Sequence, residues 1–247
     1  MKSYNTLTES DKEYLLAKNR KYVTFSFDDS VTQDARLIAL LDKYDAKGTF
    51  NMNSGRFDYD DKLPPPQEHV THIGVSEEQV RNGLYKNHEI ASHTLTHPFL
   101  DRIPLEEAIR EVKEDAENIA EFTGIPTIGF AYPFGNAYNE DIIEGILRNT
   151  SIRYARTVGS TFKFGLPKRF MEWDPTTLWC HPTMKTCCDE FLKLDTSENR
   201  LLYIWGHAYE MDCSDAMEVL EHYLKLLADD PDVVFVTNGV FYKLFGE

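Results

Sequence analysis

Asp28 and Asp29 stand side by side, directly after the apolar run Tyr-Val-Thr-Phe-Ser-Phe. In parallel α/β folds the carboxyl ends of strands carry the ligand sites. Two adjacent carboxylates at such an end repel each other unless a cation or a proton intervenes. The alternative is a helix N-terminus, where the helix dipole favours acids. His93 and His97 stand four apart in Ser-His-Thr-Leu-Thr-His-Pro, again just after an apolar run. One helical turn would bring both imidazoles to one point, and Pro98 discourages the turn from continuing. Two neutral imidazoles plus a carboxylate make a three-ligand site with a position open for water, the pattern of a hydrolytic metal centre. His207 ends a third run, Leu-Leu-Tyr-Ile-Trp-Gly-His, where Gly206 permits close backbone approach.

Short apolar runs alternating with amphipathic patterns would position these groups, as in parallel strands joined by crossover helices. Strands are expected over residues 22–27, 49–52, 88–92, 128–132, 153–158, 201–205 and 233–237. Ser30 and Gln33 read as a capping box for a helix with Ala35, Leu37, Ile38 and Leu41 on its apolar face, and Ser76 with Gln79 as another. The clearest helix runs from Pro104 to about Phe122, with Leu105, Ala108, Ile109, Val112, Ala116 and Ile119 along one side and Gly124 at its end. Asn139 caps the next, and Met217, Leu220, Leu224 and Leu227 mark the last long one. The expected organisation is a single domain, 1–247, with a short N-terminal extension (1–20) and an irregular insertion (55–75). The insertion carries three consecutive prolines and reads as a surface loop more readily than as a substrate-side lip.

The balance of 26 basic against 41 acidic residues, −15 in all, disfavours nucleic acid and anionic membrane as partners. No stretch approaches the roughly 18–20 apolar residues of a membrane span. The first twenty residues lack a secretory apolar core, so with Met1 as the natural start the expected location is cytoplasmic. Four cysteines, two of them adjacent, form no disulfide framework. His69 and His72 sit in the loop after the prolines, His88 and His222 are expected to face solvent, and Cys180, His181, Cys187 and Cys188 fit no standard zinc spacing.

Four segments in order, Ser-Phe-Asp28-Asp29-Ser, Glu89-Ile90-Ala-Ser-His93-Thr-Leu-Thr-His97, Ala131-Tyr132-Pro133-Phe134-Gly135 and Trp205-Gly206-His207, resemble the motifs of the polysaccharide deacetylases. This is the NodB-homology family, carbohydrate esterase family 4, and the resemblance runs from about Tyr22 to Phe241. It implies a distorted (β/α)7-type barrel. It also implies one divalent metal, zinc first and cobalt, manganese or nickel as substitutes, held by Asp29, His93 and His97. Asp28 would be the general base, the backbone N–H of Phe134 an oxyanion donor, and His207 the acid that protonates the leaving group. The substrate implied is an N- or O-acetylated saccharide.

Three positions depart from the family pattern. Ala131 stands where an arginine usually holds the catalytic aspartate. Asp174, in Glu172-Trp173-Asp174, is the altered match for the aspartate that partners the acid histidine, with Glu210 as its competitor. Trp205 replaces the leucine that lines the acetyl pocket, so Trp173, Trp205 and Tyr132 enter as pocket or supporting residues. Two other readings stay open: hydrolysis of a non-sugar amide or formamide on the same fold, and a carbohydrate-binding protein with a weakened site.

Overall fold

Residues Lys21–Asp28 are buried along their whole length, as a strand covered on both faces must be. The odd positions Val23, Phe25 and Phe27 join the main apolar cluster under the helices. The even positions Thr24, Ser26 and Asp28 carry polar groups to the other face, where Thr24 donates to Asn238 and Asn51 donates to both Ser26 and Asp28. The computed structural model describes residues 7–213 and 215–246. In chain order the elements are α1 (Glu9–Leu16), β1 (Lys21–Asp28), α2 (Asp34–Lys43), β2 (Gly48–Met52), β3 (Asp60–Lys62), β4 (Thr71–Ile73), α3 (Glu77–Arg81) and β5 (Glu89–Ser92). There follow α4 (Leu105–Thr123), β6 (Gly129–Ala131), α5 (Glu140–Asn149), β7 (Tyr154–Arg156), β8 (Thr177–Leu178), α6 (Thr183–Lys193), β9 (Arg200–His207), α7 (Ala216–Asp229), β10 (Val233–Phe235) and α8 (Asn238–Phe245).

The main sheet is parallel and ordered β7-β6-β5-β2-β1-β9-β8, with β10 beside the first half of β1. Its two ends approach each other through residues 173–178. Trp173 bridges to Arg156 on β7, while β8 pairs with β9. The result is a curled parallel sheet with flanking helices, the distorted (β/α) barrel expected. Registers Phe25↔Gly48 and Asp28↔His207 bring the carboxyl ends of β1, β2 and β9 to one rim, where the chemistry-bearing residues collect.

The helix boundaries follow their caps. Ser76 and Gln79 form the expected reciprocal box, Asn139 caps α5, and Gly124 ends α4 at φ +73°. The box expected at Ser30 and Gln33 does not form. Ser30 lies in the left-handed region at φ +48°, and Gln33 itself occupies the cap position with no side-chain cap bond. The sharp reversal that brings Asp29 to the rim consumes the geometry an N-cap needs. Leu40 rather than Ala35 joins the buried face of α2.

Of the N-terminal extension, residues 1–6 lie outside the described residues. The rest is docked: the Arg20 guanidinium donates to the last carbonyls of α1, at Tyr14 and Leu15. The insertion at 55–75 is likewise built, containing the antiparallel pair β3–β4. Strand β4 is fastened to the segment after Asp29, with Thr32 N–H donating to the Ile73 carbonyl (2.8 Å) and Val75 N–H to that of Ser30 (2.9 Å).

Candidate active site

Strand alternation would send Asp28 and Asp29 to opposite faces of the sheet. Asp29 instead adopts φ +73° at the strand end, which turns its carboxylate to the same rim as that of Asp28. Asp28 is fixed from two sides. Asn51 on β2 donates to Oδ1 (2.8 Å), and the fully buried Arg156 guanidinium donates to Oδ2. Burial alone would raise the Asp28 carboxyl, but Arg156, with His93 and His207 behind it, holds it below the usual range. Arg156 is the residue that the motif reading lacked. It is the register partner of Ala131 across β6 and β7, so the guanidinium reaches Asp28 from the adjacent strand.

The Asp29 Oδ1 lies 3.7 Å from Nε2 of His93 and 3.7 Å from Nε2 of His97. These three donors converge within 4.8 Å of one another. His93 turns its Nδ1 to the Ala131 carbonyl at 2.8 Å, which leaves Nε2 as the free donor. Burial beside His93 pushes His97 down to about 4, so its imidazole is neutral near neutral pH. Burial would raise Asp29, but His72 and the imidazoles of His207, His93 and His97 draw it far below the carboxylate range. An ionised carboxylate oxygen and two imidazole nitrogens are a borderline-soft divalent donor set with room for further ligands, and the residues fit such a metal.

The two histidines do not meet through a helical turn. Residues 93–97 are a loop with Thr94 at φ +69° and His97 at φ +64°. Pro98 keeps His97 out of the helical region, and side chains hold the loop in place. Asn53 donates to the carbonyls of His93 and Thr94. Glu111 accepts from the Thr96 N–H (2.8 Å) and hydroxyl (3.0 Å), while Asp115 accepts from the N–H of His93 (3.1 Å) and Ser54 (2.7 Å). Burial raises Asp115 to about 7.

Across the rim, His207 Nε2 is 4.0 Å from Oδ2 of both Asp28 and Asp29. Its Nδ1 faces Glu210 Oε1 at 3.3 Å, and its backbone N–H donates to Glu210 Oε2 at 3.1 Å. Trp179 Nε1 donates to the same carboxylate. Burial opposes a charge on His207, yet Glu210, Asp29 and Asp28 together lift it to about 9. A Cβ at Gly206 would lie 2.2 Å from Trp179 and 2.7 Å from Glu210, so only glycine lets this acid pack behind the histidine. Asp174 is elsewhere: it is exposed and accepts from the Thr157 hydroxyl.

Phe134 sits at φ +58°, and the described residues give its N–H no acceptor. Its half-exposed ring stacks on Phe99 at 3.5 Å and meets His97 edge-on, at the rim. Trp205 lies under the Arg156 guanidinium, 4.6 Å from ring centroid to Cζ, and near His207. Trp173 is core, packed among Tyr154, Tyr203 and Phe241, and Tyr132 is buried with its hydroxyl on the Met171 carbonyl (3.0 Å). His88 is buried too: its Nδ1 accepts from Gly48 N–H (3.1 Å), and burial lowers it to about 4. His72, which the sequence places only in the loop after the prolines, lies 3.5 Å from Asp29 Oδ2, so the insertion reaches the site.

The family model described as polysaccharide deacetylase matches residues 16–155, more than half the chain. Its span includes Asp28, Asp29, His93 and His97 and stops before Arg156 and His207. Among solved structures, the Xyl-CE4 domain of a multidomain xylanase from the hindgut metagenome of Trinervitermes trinervoides aligns over 92% of each chain at 15% identity, with a TM-score of 0.59. A family 4 acetyl xylan esterase from Clostridium thermocellum, in complex with a cobalt ion, aligns over 91% of this chain and 92% of its own at 16% identity, TM-score 0.57. At these identities the likeness is one of fold. The Streptococcus pyogenes deacetylase PplD, in complex with acetate, aligns at 25% identity with a TM-score of 0.43, and the chain spans 55% of that protein's length. Comparison with curated protein sequences gives no match.

Proposed function

The chain belongs to the polysaccharide deacetylase family, carbohydrate esterase family 4, and from that premise we propose that it is a divalent-metal hydrolase that removes acetyl groups from a saccharide. The observation that carries the proposal is the division of labour at one rim. Asp29, His93 and His97 converge as a donor set, while Asp28 is held apart from it by Asn51 and Arg156 and keeps its charge. When bound by Asp29, His93 and His97, zinc or a similar cation supplies Lewis acidity that brings the pKa of water toward neutrality.

Asp28 accepts the proton of the attacking water. Arg156 and Asn51 orient its carboxylate, and its Oδ2 faces the space shared with His93 and His207. The Phe134 N–H is an oxyanion donor for the acetyl carbonyl, fixed in the turn that Gly135 permits at φ +76°. His207, kept cationic by Glu210, donates a proton to the departing amine or alcohol. Acid and base stand 4.0 Å apart, close enough to serve a single carbonyl. The excess of acidic groups suits a neutral acetylated substrate better than an anionic polymer.

The test is acetate release from acetylated oligosaccharides by metal-replete protein, with small amides assayed in parallel. Turnover should stop on chelation and return with zinc, cobalt or manganese. Asp28→Asn should abolish turnover with metal binding retained, and Asp29→Ala should abolish binding. A wild-type protein that takes up no divalent ion, or one that cleaves only the small amides, would defeat the proposal.

A further inference from the structure

The two oxygens of Asp29 face different ways. Oδ1 looks at the paired imidazoles of His93 and His97, and Oδ2 looks at Nε2 of His72 at 3.5 Å. His72 is not in the converging donor set, which among the described residues comprises Asp29, His93 and His97. It is delivered by β4, whose hydrogen bonds run to residues 30–33, the segment immediately after Asp29. Beyond the bonds already described, the Gln33 side chain donates to the Thr71 carbonyl at 2.6 Å.

The imidazole has little freedom. Its ring meets Tyr59 and Tyr209 edge-on, at centroid distances of 5.1 and 5.0 Å. Its Nδ1 is buried with no partner among the described residues, so a proton there would be a stranded donor. On Nε2 the proton has two acceptors in reach, Asp29 Oδ2 and the Tyr59 hydroxyl oxygen at 3.2 Å. The Tyr59 hydroxyl in turn donates to the Asp29 backbone carbonyl (3.3 Å), so the pair grips both ends of a residue in left-handed geometry.

We infer that His72, carried in by the 55–75 insertion, is a positioning residue that binds Asp29 Oδ2 through Nε2–H and thereby presents Oδ1 alone to the cation. The inference rests on the metal-hydrolase reading and deepens it. The insertion then belongs to the metal site, and Tyr59 is the second member of the same clamp. Without the clamp, the Asp29 carboxylate can rotate or offer both oxygens, and the site loses its preset geometry.

Zinc affinity, measured by competition with a chromophoric chelator, tests this without any substrate. His72→Ala should weaken zinc binding by about 10- to 100-fold, the usual effect of losing an outer partner of a metal ligand. His72→Gln, whose amide N–H can still reach Oδ2, should recover most of the loss, and Tyr59→Phe should fall between. With cobalt, the visible spectrum of His72→Ala should shift as the carboxylate changes its mode of binding, while that of His72→Gln should stay close to wild type. Zinc affinity and cobalt spectrum unchanged in His72→Ala would overturn the inference and leave the deacetylase reading standing. If His72→Ala does not fold, a His72→Gln variant with both properties far from wild type would overturn it equally. A wild-type protein that binds no divalent ion removes the metal reading and the inference together.

Discussion

A buried carboxylate keeps its charge only where its partners outweigh the hydration it has lost. Asp28 does so chiefly through Arg156, which is itself fully buried and stacked over Trp205, with His93 and His207 adding to the pull. Removing one member of such a pair leaves the other charged and unpaired, at a cost of about 3–5 kcal/mol. Asp28 titrates below its ordinary value in the folded protein, so its pairing contributes stability above the unfolded carboxyl pKa of about 3.9 and loses it as pH falls through the folded value. Arg156→Gln should therefore lower the unfolding free energy at pH 7 by roughly that 3–5 kcal/mol and converge with wild type in acid. It should also move the acid limb of the rate profile toward neutral pH. Urea melts and a pH–rate profile decide it; a neutral-pH melt equal to wild type would dissociate Arg156 from Asp28. Ala131 announced in the sequence that an arginine was missing, and Arg156 was in plain view. Nothing short of the β6–β7 register pairs the two positions, so the replacement was not legible. Glu210 was within reach of sequence reasoning because it lies three residues from His207, a spacing that local backbone can close.

Helix α4 shows what an amphipathic pattern conceals. Its buried stripe is Ala108, Glu111, Val112, Asp115, Ala116 and Ile119, spaced three and one alternately. Leu105, expected on that face, is exposed instead. Two acids thus occupy core positions of a helix whose other acids face water. That is the signal a reader could have used: a charge at a core position needs a buried partner. The partners are backbone and hydroxyl donors of the His93–His97 loop and of Ser54 and Ser92 beside it. Glu111→Ala should remove the charged acceptor of the two Thr96 donors, cost about 1–3 kcal/mol, and loosen His97 relative to Asp29. Zinc affinity should fall by about 10-fold or more, with the far-ultraviolet dichroism unchanged because α4 itself loses nothing. Glu111→Gln, which keeps an acceptor, should lose less of both. Equal zinc affinity in wild type and Glu111→Ala would mean that the loop holds its shape without the helix.

At the scale of the whole molecule, seven strands of the main sheet were legible because each lies in a largely apolar run, whereas the polar pair β3–β4 and the closure of the barrel were not. Residues 173–178 close it with one bridge at Trp173 and the two-residue strand β8, too little pattern for a sequence to display. The far end of the barrel was equally hidden. There α8 abuts the sheet, with Asn238 N–H on the Thr49 hydroxyl (2.9 Å) and Gly239 N–H on Glu89 Oε2 (2.8 Å). The Thr49 hydroxyl donates to the same Glu89 oxygen at 2.8 Å, so one buried acid ties β2, β5 and the start of α8 together. Burial raises the Glu89 carboxyl, and the hydrogen bonds from Gly239, Thr49 and Tyr154, with the charge of Lys243, offset only part of that rise. With the folded pKa above the unfolded value of about 4.3, the contribution is fully present below about 4.3 and is lost as pH rises through the folded pKa. Wild type should therefore lose stability relative to Glu89→Gln as pH rises above about 4.3 and over the range up to the raised folded pKa, by at most about 1.4 kcal/mol per pH unit, because the amide keeps an acceptor for Gly239 and carries no charge. Urea denaturation of the two proteins across that range reads the difference directly. Parallel curves would show that Glu89 is as comfortable ionised inside the barrel as in the unfolded chain, and the tie between α8 and the sheet would then have to be a charged one.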